Sequence, residues 1–73
     1  MSVMIKITTD LVVDAARITQ KIYEANAIKL ASHNHMDSAL VEIKRAVVMM
    51  SLANDDDLCE MLAGRIHQLG HGT

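Results

Sequence analysis

From its first residue to Ala63 the chain holds neither glycine nor proline; the glycines are Gly64, Gly70 and Gly72. These two residue types are the strongest breakers of an α-helix, costing about 1 and about 3 kcal/mol relative to alanine in a helix interior. A chain that avoids them for so long is free to be helical wherever its apolar residues recur at helical spacing. They do so in three stretches, and the fold class expected is all-α: a small bundle of two to three amphipathic helices, with a short β-type arm in front.

Val3, Ile5 and Ile7 alternate with Met4, Lys6 and Thr8. That period-two pattern suits an extended arm over residues 1–7. Thr8 is a good N-cap for helix 1 (8–32), with Asp10 in the first turn and Ile7 and Val12 at the staple positions. Leu11, Ala15, Ile18, Ile22 and Ala25 then step by four and three along one face. Val12, Ala16, Tyr23, Ala27 and Leu30 widen that face, and Asp14, Arg17, Lys21 and Glu24 form the polar side.

Residues 31–38 read ASHNHMDS. Ser32, His33, Asn34 and His35 are middling or poor helix formers. Asn34 suits a left-handed helix end, and Asp37 suits the N-cap of the next helix. The stretch therefore predicts a connection between helices. Helix 2 (37–53) carries the stripe Met36, Leu40, Ile43, Val47 and Met50. Its second half, AVVMMSLA at 46–53, has no charge on any side, and a helix that is apolar all round is expected to be buried all round. Helix 3 (54–69) opens on Asn54 as N-cap with Asp55, Asp56 and Asp57 behind it. It carries Leu58, Met61, Leu62, Ile66 and Leu69 as its stripe and ends at Gly70, with a frayed tail over 70–73. Gly64 breaks into that helix, and close approach of a neighbouring helix is one reason to keep it.

The chemistry-bearing residues do not form a familiar motif. His33-Asn34-His35 spells the letters of a nuclease class that carries them dispersed in a ββα-metal element, which is missing from the pattern here. His67 and His71 are spaced i,i+4, as two ligands on one helical face would be. With His33 and His35 they make the alternative reading of a metal- or ligand-binding helical protein. Asp56, Asp57 and Glu60 have the form D-D-x-x-E, but a magnesium site of that kind needs a second acidic helix. Cys59 is flanked by acids that oppose its thiolate and reads as a small buried hydrophobe. A helix-turn-helix built on helices 2 and 3 would point three aspartates at phosphates, so a nucleic-acid-associated regulator is the weaker alternative.

No catalytic, cofactor-binding or metal-binding residues are assigned, and the chain is not expected to be an enzyme or to use a cofactor. With 73 residues it makes one small domain, and a single cysteine cannot form an internal disulfide. Chains this short usually gain stability from a metal, a disulfide or a partner. The composition is 51% hydrophobic and 1% aromatic, with six methionines and a formal net charge of −2. It excludes a disordered tail and gives no support to a basic nucleic-acid surface. A secretory leader and a membrane span are not visible, so a cytoplasmic protein is expected. The function expected is a non-catalytic protein-interaction module: a small regulator, adaptor or inhibitor, forming a homodimer and binding another protein. Val48, Met49 and Leu52 are the candidate interaction surface, since Val48 and Met49 lie off the main stripe of helix 2 and methionine offers adaptable contact.

Overall fold

The computed structural model describes residues 6–71, His71 by its backbone. Those residues form three helices, α1 (Thr9–Ser32), α2 (Met36–Ala53) and α3 (Asp56–His71), and no strand. Lys6 and Ile7 lie outside regular structure; the rest of the proposed extended arm, residues 1–5, lies outside the described segment. Ile7 packs against a cluster of Val12, Cys59 and Ala63.

Each helix end has an identifiable cause. Thr8 is extended (φ −108°, ψ 163°) and its Oγ1 accepts from the Leu11 amide at 3.2 Å, which caps α1 as the sequence predicts. At the other end Asn34 has φ 63°, the left-handed conformation expected of it. The His35 amide donates to Leu30 O at 2.9 Å and the Asn34 amide to Ala31 O at 3.1 Å. That pair of bonds is a Schellman closure, and it satisfies the last carbonyls of α1 within a three-residue turn.

Two starts differ from expectation. Helix α2 begins one residue before Asp37: its N-cap is His35, whose side chain makes no capping bond. Helix α3 is capped by Asp55, whose Oδ1 accepts from the Leu58 amide at 3.1 Å. Asn54, the expected cap, closes α2 instead, its amide donating to Met50 O at 3.2 Å. Asx residues at 54 and 55 can both cap, and the extent of α2 decides between them. Gly70 does not end α3, since the helix runs through it to His71 and neither described glycine has positive φ. Nor is Gly64 a point of close approach: a methyl group there would meet nothing within 4 Å.

Val12, Ala16 and Ala27, expected on the widened face of helix 1, are buried, but the packing corrects the leading stripes of α1 and α2. The buried apolar residues are Val12, Ala16 and Ala27 of α1, Ala39, Ala46 and Ala53 of α2, and Cys59 and Ala63 of α3. Helices α1 and α2 run antiparallel and meet along this seam of small side chains. On α2 the seam repeats every seven residues, two turns of helix, which keeps it on one line. The stripe Met36, Leu40, Ile43, Val47 and Met50, expected inside, is 44–63% exposed. So are Leu11 (44%), Ile18 (61%) and Ile22 (55%) of the leading α1 stripe. The physical reason is that alanine lets two helix axes come close, and the larger residues beside it are then lifted to the flanks of the contact. Helix α3 covers one end of the hairpin, where Cys59 and Ala63 meet Val12 with Val13, Leu52 and Leu62 around them.

Candidate functional site

An apolar groove of about 410 Å³ runs along one side of the α1–α2 hairpin. Its floor is the alanine seam, Ala27 and Ala46, with Ala31 beside it. One wall is Ile43, Val47 and Met50 of α2; the other is Gln20, Glu24 and Ile28 of α1. Helical spacing explains the walls: Ile43, Val47 and Met50 stand one turn apart on the flank of α2 next to Ala39 and Ala46. Glu24 is the one charged residue among those lining the groove. Ile28, at 71% exposure, is the most exposed large apolar residue among those described.

The candidate surface residues Val48, Met49 and Leu52 divide among different environments. Val48 is 59% exposed. Met49 is half-buried and shares a shallow hollow with Val48, Tyr23, Lys44 and Arg45. There the Arg45 guanidinium sits 5.9 Å from the centre of the Tyr23 ring and pairs with Glu42 at 2.8 Å. The arrangement is a cation–π contact that ties α2 to α1. Leu52 faces inward, half-buried against the cluster of Val12, Cys59 and Ala63. The groove residues Ile43 and Val47 were missed as a surface because their spacing reads equally well as a core stripe, and Ile28 was assigned to no face. The signal that could have found them is Ala39, Ala46 and Ala53 at strict sevens, which marks the true seam.

The histidines serve the turn or lie apart from it. His33 Nδ1 is 2.8 Å from Lys29 O, and a carbonyl only accepts, so Nδ1 carries the proton and donates. Ser32 Oγ donates to the same carbonyl at 2.7 Å. His67 is on α3, and the side chain of His71 lies outside the description. Among the described residues no three side chains of His, Cys, Asp or Glu come together in a way that could hold a metal ion.

Cys59 is fully buried, and its Sγ donates to Leu52 O at 3.0 Å. Burial pushes its thiol above the ordinary range, and the Asp56 and Asp55 carboxylates push in the same direction. That is the environment of an inert thiol rather than a nucleophile. The acids of the D-D-x-x-E pattern are exposed, and the neighbouring Asp55 caps the helix.

No family model, no curated protein and no solved structure matches this chain. Among the described residues no helix is long and apolar enough to cross a membrane.

Proposed function

We propose that the chain is a non-catalytic protein-interaction module, a small regulator, adaptor or inhibitor that works by covering a surface on a partner protein. What supports the reading above all is the exposure of leucine, isoleucine, valine and methionine side chains on all three helices, 39–71% of each open to solvent. Contiguous exposed apolar surface on a small protein marks an interaction site. On α1 the turns carrying Leu11, Ile18 and Ile22 point away from the seam and from the groove, and these residues together with Val48 are the contacts proposed for the partner.

The test is affinity capture from the native host, with Ile18→Glu/Ile22→Glu as the matched control. The expected result is a defined protein held in stoichiometric amount by the parent and lost by the variant, both chains having the same helical circular dichroism. Capture of no protein above background by the folded parent, or equal capture by the variant, counts against the proposed surface.

A further inference from the structure

We infer that the groove between α1 and α2 is filled by a second copy of this chain, two hairpins joining into a four-helix arrangement in which α2 of each copy lies against the groove of the other. This deepens the interaction-module reading by naming one partner, and it rests on the same exposed apolar side chains.

The first argument is what the single chain leaves undone. A hairpin of two helices has one seam, and here that seam is filled with alanine. Among the described residues only Cys59 is buried to below 2% exposure, and no leucine, isoleucine or methionine is among the buried ones. Helix α3 closes the end around Val12 and Leu52, while the groove lies along residues 20–31 and 43–50. A helix stabilises a fold by burying its apolar stripe against another element, and among the described residues no element covers the α2 stripe.

The second argument is area. The chain exposes 5827 Å² at a mass of 8.0 kDa, whereas a folded monomer of that mass exposes roughly 4,500 Å². The excess is on the order of 1,000 Å², and one side of a standard interface takes about 800 Å². Its radius of gyration of 15.4 Å compares with about 11 Å for a compact domain of this length. One interface of ordinary size would therefore remove a large part of the surplus.

The third argument picks the occupant. A twofold interface brings a patch against its own copy, so a patch of one charge sign repels itself. The α2 wall, Ile43, Val47 and Met50, is uncharged, as are Met36 and Leu40 beyond it. A surface required to complete the chain's own core needs a partner present wherever the chain is made. A second copy meets that condition.

The test is light scattering coupled to size exclusion on the full chain, from low to high micromolar concentration, with Val47→Glu and the far-face control Ile18→Glu. The parent and Ile18→Glu should run at about twice the 8.0 kDa chain mass. Val47→Glu should dimerise about a hundredfold more weakly or worse, because a desolvated carboxylate has no partner there. A parent that stays monomeric and helical throughout, leaving the groove to a different protein, overturns the inference. So does a Val47→Glu dimer as tight as the parent. Since Val47→Glu could lose its fold along with its partner, a second measurement uses the unmodified protein. Methyl NMR with a soluble paramagnetic probe should leave Met50 shielded and Met61 accessible. Equal attenuation of the two overturns the assignment of the face. A monomeric parent that still captures a host protein leaves the interaction-module reading standing while this one falls.

Discussion

Asn54 and Asp55 are neighbours of nearly equal capping preference with opposite tasks, one closing α2 and the other opening α3. Asp55→Ala should therefore lower stability by about 1 kcal/mol, and Asn54→Ala by less. Urea unfolding of the two variants checks the order, and a larger loss at Asn54 would reverse the assignment. At Cys59 the consequence is a pH dependence. The folded state holds the thiol proton above the unfolded value of about 8.5. Above that value the unfolded chain binds fewer protons than the folded one, so stability falls as pH rises through this window and on to the folded value. Below it the contribution is fully present. The melting temperature of the parent should accordingly fall more steeply between about pH 8 and about pH 10 than that of Cys59→Ala, and parallel curves would contradict the burial of the thiol. Gly64 has open space where a methyl group would go. Gly64→Ala should therefore stabilise α3 by about 0.5–1 kcal/mol in the same unfolding assay.

The helices themselves were legible in the sequence because their signals are local. Thr8 caps α1 through its own side chain, and Asn34 adopts the left-handed conformation that ends it. Which face of α2 is buried was not legible, because Leu40–Ile43–Val47 and Ala39–Ala46–Ala53 both have helical periodicity. Hydrophobicity favours the first set, and close approach of the backbones selects the second. The same ambiguity hid the groove, whose wall residues look like core until the seam is known. The seam makes a sharp prediction of its own. Ala46 is 7% exposed in the contact between α1 and α2, so Ala46→Leu should force the helices apart and cost about 1–3 kcal/mol. Val41→Leu, on an exposed side of the same helix, should change the unfolding midpoint little. Equal effects at the two positions would mean that α2 is rotated from the orientation described.

As a whole the molecule measures 48 × 29 × 18 Å, with the hairpin as its long member and α3 against one end. A shape so extended gives a small chain little interior, which is why its stability should depend on how much of it is in solution. If association completes the core, the thermal midpoint should rise steadily with protein concentration, because mass action favours the folded dimer over two unfolded chains. A midpoint constant over a hundredfold dilution would describe a chain that is stable alone. The two apolar surfaces point in different directions, so self-association at the groove leaves Leu11, Ile18 and Ile22 open to another protein.

The alanine ladder has a consequence for alignment along the helix axis. Helix α2 presents the same small knob to α1 at Ala39, Ala46 and Ala53, about every 10.5 Å along its length. Seen from α2 alone, a sliding displacement by that distance brings the same knobs back to the same places, so that side of the seam by itself does not choose a register. The choice falls to the connection at His33, Asn34 and His35, whose paired hydrogen bonds leave no slack. Lengthening it with a few glycines should leave helix content intact while admitting slipped hairpins, visible as doubled NMR signals from α2. The three residues first noticeable for spelling out a catalytic motif would then be the clamp that fixes how the two longest helices line up.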